Sequence, residues 1–187
     1  MKKRLLIGIS GASGAPIAVE LLRQLQKKES VESHLIITKG GELTLRQETG
    51  LAADDIKSMV DVYYENSSIG AQVASGSFRT EGMIIVPCSM KTVAGIVSGY
   101  SDNLLLRAAD VMLKERRKLV LVARESPLST VHLRNLYEMS RLGGIIIPPM
   151  LTYYNHPKTL EDCTAYAVQR ILRQFDLDDD SYEWEGM

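Results

Sequence analysis

Five short apolar runs recur along the chain, at residues 5–9, 34–38, 83–86, 119–122 and 145–147. Each is apolar on both faces, the pattern of a strand buried inside a parallel sheet. Between them the apolar positions return every three or four residues, which is the helical period. Ala18, Leu21, Leu22 and Leu25 share one face of a helix predicted over residues 16–28, and Pro16 stands where a first helical turn tolerates it. Leu105, Ala108, Ala109 and Met112 form the stripe of a longer helix over 103–117. Further helices are predicted over 40–47, from Ser89 as N-cap through Val97, over 127–140, and from Thr159 to about Gln174, the last opened by a Thr159/Asp162 capping box. Residues 29–32 read as a polar turn and 51–60 as a short helix. Residues 63–77, rich in Ser, Gly and Asn, read as loop with room for a short edge strand.

Strands alternating with helices give an α/β fold: a single-domain, Rossmann-like three-layer sandwich, a parallel sheet with helices on both faces. Right-handed crossovers place all strand ends on one edge, where ligands bind in such folds. The turns after Ile9, Thr38, Val86, Val122 and Ile147 are expected to meet there. The domain is read as 1–174, followed by an acidic tail, 175–187.

Composition narrows the function little. At 187 residues, 45% hydrophobic and 24% charged, the chain is one ordinary globular domain. A net charge of −1 argues against a dedicated nucleic-acid binder. Cys88 and Cys163 make neither a disulfide framework nor a zinc motif, and no His cluster points to a metal. The basic start Met1-Lys2-Lys3-Arg4 precedes an apolar run too short for a signal peptide, and no stretch approaches a membrane span. The expectation is a cytoplasmic protein without metal or membrane.

The turns carry the chemistry. Gly8, Gly11 and Gly14 punctuate the first, with the Ser13 hydroxyl at its tip, before a helix start where an anion can sit. The spacing is not the dinucleotide fingerprint, and the second strand ends in Thr38-Lys39 without the ribose-binding carboxylate, so NAD is disfavoured. The turn Pro87-Cys88-Ser89-Met90-Lys91-Thr92 offers two hydroxyls, a helix N-terminus and a lysine, suited to phosphate and equally to an ordinary serine cap. Arg124-Glu125 puts a charge pair on the same edge. On spacing alone Lys114 belongs to a solvated helix end, Glu48 reads as a solvated carboxylate, and Tyr154 and Arg170 read as surface residues.

Taken in order, Gly11-Ala12-Ser13-Gly14, Glu48-Thr49, Ala74-Ser75-Gly76-Ser77, Pro87-Cys88-Ser89, the 103–111 segment, Leu113-Lys114-Glu115-Arg116, Arg124-Glu125-Ser126-Pro127, and Ile146-Ile147-Pro148-Pro149 with Tyr154 resemble the UbiX-type flavin prenyltransferases, in the branch found beside aromatic and phenolic acid decarboxylases. The resemblance runs from about Leu5 to Arg170. It implies that reduced FMN is alkylated by dimethylallyl phosphate, closing a fourth ring. The prenylated FMN then passes to a UbiD-type decarboxylase, and the enzyme is a dodecamer with sites at subunit junctions. It implies FMN contacts at Gly11, Ala12, Ser13, Thr38, Ser89, Met90, Lys91, Thr92 and Arg124. It implies prenyl phosphate contacts at Lys114, Arg124, Glu125, Tyr154 and Arg170, and catalytic roles for Ser13, Glu48, Glu125 and Lys114. Ile69 stands where some relatives carry a tryptophan, and Trp184 resembles a C-terminal tryptophan of the family. Two other readings stay open: a non-catalytic FMN carrier or decarboxylase subunit, and a flavin-dependent cysteine decarboxylase, whose Pro-Ala-Ser-Ala-Asn-Thr turn this chain lacks.

Overall fold

The computed structural model describes residues 2–178 and Gly186. Its frame is a sheet of six parallel strands: β1 (Lys3–Ile9), β2 (Val31–Ile37), β3 (Val62–Glu65), β4 (Gly82–Cys88), β5 (Lys118–Ala123) and β6 (Ile145–Ile146). They lie in the order β3-β2-β1-β4-β5-β6. The helices are α1 (Ala15–Gln26), α2 (Lys39–Thr49), α3 (Ala53–Lys57), α4 (Met90–Val97), α5 (Leu104–Lys114), α6 (Thr130–Arg141) and α7 (Leu160–Leu172).

Successive residues of a strand face opposite sides of the sheet, and the core divides accordingly. Leu5, Ile7 and Ile9 pack with Leu21, Leu22 and Leu25 of α1 and Val168, Ile171 and Leu172 of α7. Leu6, Met83 and Ile85 pack with Val93 of α4, Leu105, Ala108 and Met112 of α5 and Met139 of α6. Two separate hydrophobic layers thus fix the sheet between helices, as the strand–helix alternation predicts.

Several boundaries differ from the sequence reading, each for a local reason. The segment 62–65 pairs with β2 from His34↔Val62 to Ile37↔Glu65, so a sixth strand occupies the edge. β2 starts at Val31 rather than His34, because Lys3 and Val31 already face each other across the ladder; residues 31 and 32 belong to the strand, not to a turn. Thr38 is not its last residue but the cap of α2. β4 continues through Pro87 to Cys88, since its ladder to β5 shifts register between Ile85 and Cys88, where a proline costs no hydrogen bond. α6 begins at Thr130, three residues later than expected, because Ser129 caps it. α5 stops at Lys114, and Arg116 enters the left-handed region at φ 54°. Beyond α7 the chain stays packed through a short turn: Phe175 is buried and Leu177 lies against the core.

Candidate active site

Strand ends β1 to β5 converge on one rim, and a cleft of about 1300 Å³ opens over it. Its floor is backbone. A Cβ on Gly41 would stand 2.6 Å from the Ile9 carbonyl oxygen, and one on Gly11 3.0 Å from Gly40, so the first turn and the start of α2 touch chain to chain. Ser10, fully buried, pins two turns together. Its hydroxyl donates to the Pro87 carbonyl at 3.1 Å and accepts the Ser89 N–H at 2.8 Å. The backbone N–H of Arg124 reaches the Cys88 carbonyl at 3.1 Å, which draws the fifth strand's turn to the same place.

Two helices open into this cleft with their N-termini. Thr38 caps α2, its hydroxyl accepting from Gly41 N–H at 3.1 Å. Ser89 caps α4, accepting from Thr92 N–H at 3.2 Å, with the Thr92 hydroxyl 3.0 Å away. Each cap satisfies one of the orphan N–H groups of a helix start and leaves the earlier ones to a ligand. Gly11, Thr38, Ser89, Lys91 and Thr92 all line the cleft, while Met90 is buried beneath it.

The start of α1 differs. Its first N–H groups are not left for a bound anion: the Glu48 carboxylate takes those of Gly14 and Ala15, at 2.9 and 2.8 Å. The protein supplies its own anion where the sequence suggested a phosphate. Burial raises the Glu48 pKa. The Ser13 hydroxyl, those two N–H groups and the Arg124 guanidinium outweigh it and hold the carboxyl below its usual range. Glu48 is therefore no idle solvated group but the centre of a Ser13–Glu48–Arg124 set beside the cleft. Burial pushes the Cys88 thiol far up, so it stays protonated and offers no nucleophile.

Other predicted residues lie elsewhere in the chain. Glu125 is exposed on the rim, accepting from its neighbour Ser126 N–H at 3.1 Å. Lys114 ends α5 four residues before β5 begins, at the edge where strands start, and pairs with Glu115. Arg170 is in the last turn of α7, which leads to the same opposite edge, where the Lys118 ammonium donates to the Gln174 carbonyl. Tyr154 is 56% exposed on the loop before α7, and its hydroxyl is hydrogen-bonded to that of Tyr166. One chain thus assembles the rim and leaves Lys114 and Arg170 toward the opposite edge, with Tyr154 on the loop between β6 and α7 and not among the residues lining the cleft. Trp184 lies outside the described residues, and Ile69 is exposed.

Sequence reasoning missed Ser10 and Asn66. Asn66 accepts from Leu104 N–H through its carbonyl and from Leu105 N–H through its side chain, holding the start of α5 at the cleft wall. A polar residue directly after a buried strand was the available signal for Ser10; Asn66 follows a half-buried edge strand and carried no such signal. Among the described residues no group of three or more His, Cys, Asp or Glu is placed to hold a metal ion, and no helix is long and apolar enough to cross a membrane.

The arrangement suits a flavin mononucleotide. Helix starts with hydroxyls and Lys91 match a phosphate, and a floor without side chains leaves room for a flat ring. Comparison with known proteins agrees. The family profile described as Flavoprotein matches residues 1–171. A probable UbiX-like flavin prenyltransferase of Sedimentibacter hydroxybenzoicus is 49% identical over 184 residues, covering 98% of this chain and 97% of the relative. A dodecameric FMN-dependent UbiX-like decarboxylase from Escherichia coli O157:H7 superposes with TM-score 0.95 at 48% identity, over 98% of this chain and 100% of the other. AnUbiX (PadA1), solved in complex with FMN and dimethylallyl pyrophosphate, gives TM-score 0.96 at 44% identity over 100% of both chains.

Proposed function

This chain belongs to the UbiX-like flavin prenyltransferases of the flavoprotein family, and on that premise we propose how its residues divide the work. The protein is a flavin prenyltransferase: it joins a dimethylallyl group to reduced FMN, and the prenylated FMN serves a UbiD-type decarboxylase. When bound, reduced FMN supplies the ring nitrogen and the neighbouring ring carbon that form the two new bonds. The observation that carries the residue assignment is the convergence of two capped helix starts with the Ser13–Glu48–Arg124 set on one rim.

Thr38, Ser89, Met90, Lys91 and Thr92 hold the FMN phosphate through hydroxyls, leading N–H groups and one ammonium. Gly11, Ala12 and Ser13 pass under the ring. The donor's allylic C–O bond breaks as its phosphate leaves, so negative charge grows there; Arg124, Lys114 and Arg170 neutralise it without a metal. Glu125, aided by Ser13, delivers a proton to the departing phosphate. The second bond would close as the prenyl C=C takes up a proton at one carbon and the ring carbon bonds the other, and Glu48, held ionised, would accept the proton that the ring carbon then loses. Lys114, Tyr154 and Arg170 come from neighbouring chains in a homo-oligomer, for which the dodecameric relative is the precedent. We keep 1–174 as the flavoprotein domain with the tail 175–187 attached through buried Phe175. We place the enzyme in the cytoplasm, where thiols such as Cys88 and Cys163 stay reduced.

The test is anaerobic incubation with reduced FMN and dimethylallyl phosphate or, separately, the pyrophosphate. A flavin heavier by one isoprene unit with the monophosphate is expected; its absence with both donors overturns the proposal. A non-catalytic FMN carrier would need the flavin contacts alone. Glu125→Gln separates the two readings: prenylation falls about 100-fold with FMN still bound if Glu125 delivers the proton, and support of a partner decarboxylase is unchanged if the protein is only a carrier.

A further inference from the structure

On α7, Tyr166 and Arg170 stand one turn apart on the same face. The Tyr166 hydroxyl is hydrogen-bonded to that of Tyr154, and the two rings meet edge to face, 6.3 Å apart at 87°. Tyr154 itself sits on an irregular, exposed loop. A phenol there gains a fixed orientation only from what holds it, and Tyr166 is anchored on a helix whose other face is core. The ring contact alone would be served equally by phenylalanine, so the second hydroxyl needs a separate account.

We propose that Tyr166 is a positioning residue for the donor phosphate, acting through Tyr154. A phenol has one proton to give and lone pairs to accept with. To bind an anion, Tyr154 must give its proton to the phosphate. Its oxygen then accepts, and the partner in place is the Tyr166 hydroxyl. Chained in this direction, each hydrogen bond strengthens the next. The hydrogen bond to Tyr154 and burial raise the Tyr166 pKa, so the phenol keeps its proton to give; Arg170 and Arg173, the latter paired with Asp178, act on it more weakly. This inference rests on the reading that Tyr154 and Arg170 take the donor phosphate.

The experiment uses the full oligomer, saturating reduced FMN and varied dimethylallyl phosphate. Tyr166→Phe keeps the ring and deletes only the hydroxyl. Its KM for the donor is expected to rise about five-fold, the worth of one ordinary hydrogen bond, with kcat, FMN affinity and melting temperature unchanged. In a Tyr154→Phe background the same change shifts KM by less than about two-fold, because the route through Tyr154 is already cut. An unchanged KM in Tyr166→Phe, while Tyr154→Phe and Arg170→Ala both raise it, overturns the inference and leaves the phosphate reading standing. A full additional rise in the double variant also overturns it, since Tyr166 would then act on its own. If neither Tyr154→Phe nor Arg170→Ala raises KM, the phosphate reading fails and the inference with it.

Discussion

The rim at the strand ends and the outer side of α7 are built in opposite ways. At the rim each helix start is answered from within the chain: Thr38 caps α2, Ser89 caps α4 and Glu48 closes α1. Ser10, buried, locks the first turn to the fourth strand. Around α7 the chain leaves Met150 at 74%, Tyr153 at 75% and Leu160 at 72% exposed. Among the described residues no carboxylate pairs with Arg170. Exposed aromatic and aliphatic groups gathered before and at the start of α7 suit a surface for contact. On the assignment proposed above, the difference teaches that one chain preorganises the flavin side by itself, whereas the donor side draws on assembly.

The sharpest way to break this contrast is at Glu48. Glu48→Gln keeps an oxygen for the Gly14 and Ala15 N–H groups but removes the base, so prenylation should fall at least about 100-fold while FMN affinity changes little. Equal loss of both would mean that Glu48 only shapes the flavin pocket. The carboxylate is the working form, and its pKa is held below the ordinary glutamate value of about 4.3. Activity from this base is therefore retained above that pH and is lost only as pH falls through the lowered folded value. The stability it lends has the same sign, present above the unfolded pKa and lost on acidification. A rate profile with a Glu48-dependent limb near neutrality would contradict this environment.

The next largest effect tests the division between chains. Lys114→Ala alone should cost about 100-fold, as loss of one charge-stabilising group does. Co-expressing Lys114→Ala with Glu48→Gln in equal amounts then builds mixed oligomers. If a site takes Glu48 from one chain and Lys114 from another, about one site in four carries both intact groups, and activity returns to about a quarter of wild type. Mixed oligomers as inactive as either parent would mean that both groups serve from one chain, and the contrast drawn above would be wrong.

What was legible in the sequence follows the same line. Ser89 as a cap and the Thr159/Asp162 box depend on partners three residues away, and both stand as read. The two-sided apolar runs fixed the strands and with them the rim. Glu48 looked solvated because its partners, Gly14 and Ala15, are 34 and 33 residues away and meet it only when α2 folds back beside α1. Ser10 and Ser89 are 79 residues apart. Pro87 looked like the end of a strand because the bulge that accommodates it, one extra β4 residue between the Ile85↔Leu121 and Cys88↔Ala123 pairs, shows only against the neighbouring strand. Tyr166 carried no local signal at all; its partner sits on a loop without a period. Local chemistry was readable and long-range pairing was not; for Tyr154, Lys114 and Arg170 the family resemblance gave the roles that the proposal carries forward.

The smallest effect concerns the preorganised side alone. Ser89→Ala removes an N-cap worth about 1 kcal/mol. It also frees the Ser89 side-chain link to Thr92 and leaves the Ser10 contact to the Ser89 N–H untouched, since that bond is made by backbone. The turn therefore stays in place while the start of α4 loses one ordered acceptor and the ligand one hydroxyl. FMN affinity should drop about five-fold, readable as quenching of flavin fluorescence on titration. The KM for dimethylallyl phosphate should stay unchanged, because no group proposed to meet the donor touches Ser89. A rise in donor KM without loss of FMN affinity would show that the α4 start faces the donor, and the two regions would then have to be redrawn as one.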